Sequence, residues 1–288
     1  DVCSSDPPPE ARLGDAWTDP RNPVRRLFGG QRLNVWSLRP VQEPRPPAVR
    51  NRRWVRNPVD TFVLAPLEAA GAMPAPEADR RTLLRRLHFG LTGLPPSPED
   101  LQRFLADPRP DAYERRVEDL LASPRHGEHQ ARLWLDVIRY SDSNGFDWDE
   151  LRPVAWRFRD YVIRSFNADK PFDQFIREQL AGDEMVPGPP QDAADQDRLL
   201  ATGYLRLGPH DNSAALFGEE GKVRHALMAD LVETTGSAFL GLTLSCCRCH
   251  DHKTDPLSQA DHFRLRAFFE PVQFADDRSE EHTSELQS

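Results

Sequence analysis

The stretch Asn57-Pro-Val-Asp-Thr-Phe-Val-Leu-Ala-Pro-Leu67 decides the fold class. Asn57 can cap a helix by accepting a hydrogen bond from a first-turn N–H, and Pro58 has its φ preset for that turn. Val59, Phe62, Val63 and Leu67 then fall on one helical face, and Gly71 suits the end of the helix. The punctuation recurs downstream. Asp79 precedes Leu83, Leu84 and Leu87, and Ser97-Pro98-Glu99-Asp100 precedes Leu101, Phe104 and Leu105 as a capping-box-like start. Further helical segments are expected at 113–121, 129–140, 156–166, 171–180, 196–205, 223–240 and 261–269. Almost nothing alternates with the period of two that a half-buried strand needs. The expected fold is therefore mainly α: an irregular multi-helix domain with long Pro-rich loops and few or no strands.

Outside these segments the chain is organised by composition. Residues 7–56 are rich in Pro and Arg and read as a linker, with a single candidate strand at 33–38. Residues 57–184 form an N-terminal helical layer, and 185–277 the cysteine-bearing helical part of the same domain, with the Pro-rich loop 185–194 between them. The two ends are set aside: residues 1–6 and 278–288 translate codon for codon as sequencing-adapter sequence and are expected to be artefacts. They carry five acids and one Arg, a net −4, so the formal charge of −9 becomes −5. That balance, with no run of like charge and no basic face, argues against nucleic-acid binding. No apolar run approaches the roughly 20 residues that span a bilayer. No signal peptide is visible, which leaves the compartment open.

Apart from Cys3, all the cysteines fall between positions 246 and 249, a local site rather than a disulfide framework. Ser245-Cys-Cys-Arg-Cys-His250 contains Cys-x-x-Cys-His. In that arrangement two thiols form thioethers to haem vinyl groups and the adjacent imidazole ligates the iron. Cys246 and Cys249 are thus the expected attachment points of a haem c, and His250 its proximal ligand. The competing reading is zinc held by Cys246, Cys249, His250 and His252, although structural zinc usually draws ligand pairs from two separated segments. A redox dithiol would need a βαβ context that is missing. Cys247 has no role in attachment and reads as a small buried residue.

The stretch from Leu240 to Lys253, Leu-Gly-Leu-Thr-Leu-Ser-Cys-Cys-Arg-Cys-His-Asp-His-Lys, with Asp255-Pro256 after it, resembles the signature of a Planctomycete cytochrome-type family known as domain of unknown function 1549. Arg56-Asn-Pro-Val-Asp60, Leu91-Thr-Gly-Leu-Pro-Pro96, Trp134-Leu-Asp136 and the run Phe172 to Asp183 resemble further family blocks, in order. The likeness covers roughly residues 35–275, and Cys247 stands where the family usually has Ala. The resemblance implies an internal fragment of a large exported protein, periplasmic or at the cell surface, whose partners are other redox modules of the same full-length chain.

A distal haem ligand is sought among His126, His129, His210, His225, His252 and Met185, with His210 favoured because its loop could fold over a cofactor. His225 reads as a satisfied helix-face histidine. His252 is expected to bond the loop or a haem propionate, and Lys253 to be a second propionate partner. Asp136 to Glu150 gathers acids, Arg, Tyr and Trp at a helix end, as a sugar site would for stacking and proton transfer. Arg139, Tyr140 and Asp142 are the candidate catalytic residues, while Asp136 with Arg139 is most simply a buried ion pair. Two functions follow. One is an exported haem domain for electron transfer or oxidation, acting on carbohydrate as its candidate substrate. The other is a non-redox carbohydrate-binding or hydrolytic domain stapled by zinc.

Overall fold

The computed structural model describes residue 37 and residues 39–146 and 149–273. The candidate strand at 33–38, apart from residue 37, and both adapter-like ends lie outside them. The described residues are mainly α-helical, with only an isolated antiparallel bridge between Ser143 and Leu151. No helix among them is long and apolar enough to cross a membrane. Contacts part the chain into two compact units, the smaller comprising residues 34–90 and 94–116 and the larger carrying 91–93 and everything from 117 onward.

The smaller unit contains α1 (Pro58–Ala69), most of α2 (Arg80–Thr92), α3 (Pro98–Ala106) and the start of α4 (Ala112–Leu121). The expected caps form. Asn57 accepts from the Val59 and Asp60 N–H groups, and the Asp60 carboxylate answers the Asn57 N–H at 3.1 Å, a reciprocal capping box. Gly71 follows with φ +68°, a left-handed conformation open to a residue without Cβ. Ser97 accepts from Asp100 N–H at 3.0 Å. Leu84, Phe104 and Ala112 make this unit's core, and the Arg80 guanidinium lies 4.4 Å from the centre of the Phe104 ring.

The larger unit is built from α5 (Pro124–Val137), α6 (Ala155–Asn167), α7 (Phe172–Ala181), α8 (Ala193–Ala201), the short α9 (Ala214–Phe217), α10 (Glu220–Thr235) and α11 (Gln259–Phe269). Two expected helices change character at their ends. The segment expected at 196–205 passes from α8 into a 3-10 turn, Thr202–Arg206, and the one expected at 223–240 passes from α10 into a π-helical turn, Gly236–Leu240. The helix expected from His129 starts five residues earlier, where Ser123 caps it and Pro124 opens it. One core runs through this unit. Ile138, Phe158, Tyr161, Phe175, Tyr204, Met228 and Leu231 share it with Cys247 and Phe269. The turn that bears the cysteines is thereby anchored to the same packed interior as the helices before it.

The buried carboxylate inside this core is satisfied. Glu178, 2% exposed, accepts from the Tyr161 hydroxyl at 2.8 Å and the Gln174 amide at 2.8 Å, and pairs with Lys170. Those partners outweigh burial and hold its carboxyl below the usual range.

Candidate functional site

Three chain segments meet along the exposed side of α10. The first is the cysteine turn. Gly236–Leu240 ends α10, and Cys246–Arg248 forms a single 3-10 turn in which Cys249 N–H and His250 N–H both donate to Cys246 O, at 3.2 and 3.3 Å. In a 3-10 turn, positions three apart eclipse one another. Cys246 and Cys249 are accordingly both exposed, with His250 beside them in sequence also exposed. Cys247, on the opposite side, is fully buried, and its thiol lies 3.7 Å from Leu257 O. Burial pushes that thiol above its ordinary pKa, which keeps it a thiol rather than a thiolate.

The imidazoles beside the turn are held differently. His250 Nδ1 is 2.8 Å from Asp251 O, and because a carbonyl only accepts, Nδ1 carries the proton. His252 is mostly buried, and its Nδ1 instead accepts from Asp255 N–H at 2.9 Å. The loop between is closed by Asp251, whose carboxylate accepts from Gln259 N–H at 2.8 Å, and by Leu257 O, which accepts from His252 N–H at 2.9 Å. His252 therefore bonds its own loop, one of the two roles expected of it. Lys253 is exposed on that loop. Among the described residues no three His, Cys, Asp or Glu side chains are grouped to hold a metal ion.

The second segment is the acidic loop. The expected pairing of Asp136 with Arg139 does not form. Asp136 points from the exposed side of α5, while Arg139 reaches Asp230 on α10, its Nε 2.9 and 2.7 Å from the two carboxylate oxygens and its terminal nitrogen closing the fork. The reason is backbone direction. Arg139 follows the last turn of α5 with φ +54°, so its side chain leaves the helix instead of returning along it. Tyr140 donates to Asp142 at 2.6 Å and stacks on Phe158, and burial, then that bond, raise the phenol well above its ordinary pKa. Tyr140 thus stands as a hydrogen-bond donor to Asp142. Asp147 and Trp148 lie outside the described residues.

The third segment is the loop 207–212. Arg152 binds Leu207 O at 3.0 Å, Gly208 O at 2.6 Å and the Asn144 side chain at 2.8 Å, while His210 N–H donates to Asn144 O at 2.9 Å. Asn144 is 3% exposed, so this stitching is shielded from water. A Cβ on Gly208 would collide with the Asp230 carboxylate that Arg139 holds, so any larger residue there must push that carboxylate aside. Pro209 and Asp211 then border a hollow with Phe146, Lys222 and Val223. His210 is thereby fixed by its backbone to the acidic loop.

The remaining histidine candidates have other duties. His126 Nδ1 donates to Leu91 O at 2.9 Å, and His129 packs against Gly93. His225 Nδ1 accepts from Arg266 at 2.8 Å, a satisfied helix-face position as expected. Met185 stands in the turn after α7.

Sequence reasoning passed over two residues that the fold brings in. Asp230 is separated by 91 residues from Arg139, and no local spacing joins them. His262 is 1% exposed and lies at i, i+3 and i+7 with Leu265 and Phe269, an apolar spacing that could have marked it as interior.

The family model described as PSCyt2, protein of unknown function (DUF1549), matches residues 58–274. The chain belongs to that family. No curated protein matches it, and no solved structure does. The PSCyt2 match takes in α1 through α11 and both loops that meet on α10, so the cysteine turn and Asp230 belong to the family region rather than to the flanking sequence.

Proposed function

We propose that this PSCyt2 chain is a haem c domain for electron transfer or oxidation, attached through Cys246 and Cys249 with His250 as proximal ligand. One observation carries the reading: a single turn presents two cysteines and a histidine to solvent while burying the cysteine between them. The hydrogen bond from His250 Nδ1 to Asp251 O supports it, because it leaves the Nε2 lone pair for iron, the usual way a ligating imidazole is oriented. Haem bound there would supply a one-electron couple. The chain's own residues hold the turn. Leu244 O accepts from Cys247 N–H at 3.0 Å and from His262 Nδ1 at 3.3 Å, and the buried Cys247 ties the turn to the core. Lys253 is the residue on this loop suited to a propionate.

Placement in the periplasm or at the cell surface, and redox modules elsewhere in a longer protein as partners, belong to the same proposal. His210 remains the distal candidate. Zinc at the cysteine cluster draws less support, since His252 Nδ1 is taken by a backbone N–H and its neutral ring then carries the proton on Nε2. Expression with a c-type haem maturation system tests the proposal. It should yield a red protein whose haem survives acid-acetone extraction, and Cys249→Ser should lose covalent attachment. A colourless protein holding stoichiometric zinc would overturn it.

A further inference from the structure

Cys246, Cys247 and Cys249 offer three ways to pair two thiols, and the turn that carries them admits one. Consecutive Cα atoms stand about 3.8 Å apart across a trans peptide, short of the roughly 4.4 Å at which ordinary disulfides begin, so Cys246 and Cys247 are too close to bridge. Cys247 and Cys249 face opposite ways. The first is fully buried, with its thiol 3.7 Å from Leu257 O, and the second is exposed. Cys246 and Cys249 remain. Cys249 N–H donates to Cys246 O at 3.2 Å, which closes the 3-10 turn between them. Three residues of such a turn rise about 6 Å with the end side chains in register, inside the range of roughly 4.4–6.8 Å over which disulfides join Cα atoms. Both thiols are exposed, so an oxidant can reach them.

The backbone of the turn is already held in the shape the bridge needs. Arg248 N–H donates to Ser245 O at 3.2 Å and Cys247 N–H to Leu244 O at 3.0 Å, while the buried Cys247 side chain fixes the turn to the core. We infer that Cys246 and Cys249 form a reversible disulfide in the haem-free protein, by exchange with a small-molecule disulfide. One cysteine thiolate attacks a sulfur of the oxidant and releases one thiol; the other then attacks the mixed disulfide and releases the second. One S–S bond is made and one broken, and the two protons and two electrons of the cysteines pass to the oxidant, which leaves as two thiols. Burial keeps Cys247 out, because the exchange needs access to the sulfur. The bridge needs no βαβ setting, which belongs to dithiols that catalyse exchange in other proteins. Its consequence rests on the haem reading: each thioether consumes a free thiol, so the bridged turn takes no haem until a reductant opens it.

The test uses the full chain with Cys3→Ser, which leaves only the three cysteines of the turn. Haem-free protein is equilibrated with oxidised glutathione or with dithiothreitol, and intact mass and iodoacetamide labelling are mapped before and after denaturation. Oxidation should remove the mass of two hydrogen atoms and protect Cys246 and Cys249, dithiothreitol should restore both, and Cys247 should label only on denaturation. Cys247→Ala should still form the bridge, whereas Cys246→Ser and Cys249→Ser should each stop at a mixed disulfide with one glutathione. Offered haem, the oxidised sample should retain at least about tenfold less after acid-acetone extraction than the reduced one. A glutathione on each cysteine in place of the bridge, a bridge that includes Cys247, or covalent dimers as the main product would each overturn the inference, as would equal and substantial haem attachment in both samples. A bridge that forms as described in a protein that takes no haem in either state would count against the haem proposal alone.

Discussion

Replacing Asp230 with Ala removes the partner that holds Arg139 in a left-handed backbone conformation. The two side chains are 21% and 30% exposed, neither a surface pair nor a dry one. Exposed pairs contribute about 0–1 kcal/mol, and breaking a fully buried pair costs about 3–5 kcal/mol, so this forked, part-buried pair should cost about 2 kcal/mol to break. Arg139 at φ +54° carries a conformational cost of about 1–2 kcal/mol, which the pair now offsets. For a unit of roughly 150–250 residues each kcal/mol shifts Tm by about 2–4 °C, so Asp230→Ala should melt about 4–8 °C below the parent by calorimetry. Arg139→Gly should lose less than Arg139→Ala, by about 1 kcal/mol, because glycine adopts the left-handed conformation freely. An Asp230→Ala protein melting within about 1 °C of the parent, or equal losses for the two Arg139 variants, would refute the account.

Cys247→Ala should retain covalent haem while lowering stability by about 1 kcal/mol, whereas Cys249→Ser should abolish attachment with little change in melting; absorbance after extraction and Tm separate the two. Lys170→Met leaves the Glu178 carboxylate buried and uncompensated and should cost about 3–5 kcal/mol in urea unfolding at pH 7, with the loss shrinking towards pH 4 as that carboxylate takes up a proton. His262 and His88 are both pushed below 6.5 by burial. Their neutral forms stabilise the fold above pH 6.5, the value they regain on unfolding, and that stability is lost as pH falls from 6.5 towards their folded values. Each adds a slope of up to about 1.4 kcal/mol per pH unit there, so His262→Gln should flatten the Tm profile below pH 6.5. Gly208→Ala would put a methyl carbon 2.2 Å from an Asp230 oxygen and should melt below the parent, a loss that Asp230→Ala should largely mask.

The helices and the cysteine turn were legible in the sequence because their causes are local. Asn57 caps α1 through atoms two and three residues away, and Cys246 and Cys249 share one turn whatever else the chain does. The exposed, side-by-side character of Cys246, Cys249 and His250 follows from that same local geometry, and the burial of Cys247 from having the opposite side of it. Arg139 was another matter. The acid three residues before it, Asp136, sits on the exposed side of α5, and the acid it reaches lies on α10, so only the fold that brings the residue after α5 beside Asp230 could choose between them. His262 likewise offered a spacing but no chemistry, since the burial that leaves its Nε2 without a partner arises only when α10, α11 and the cysteine turn pack together. Local sequence determined the turn that sets Cys246, Cys249 and His250 side by side; the long-range contacts decided what stands around that turn, because charge pairing and burial depend on neighbours that the order of residues does not bring together.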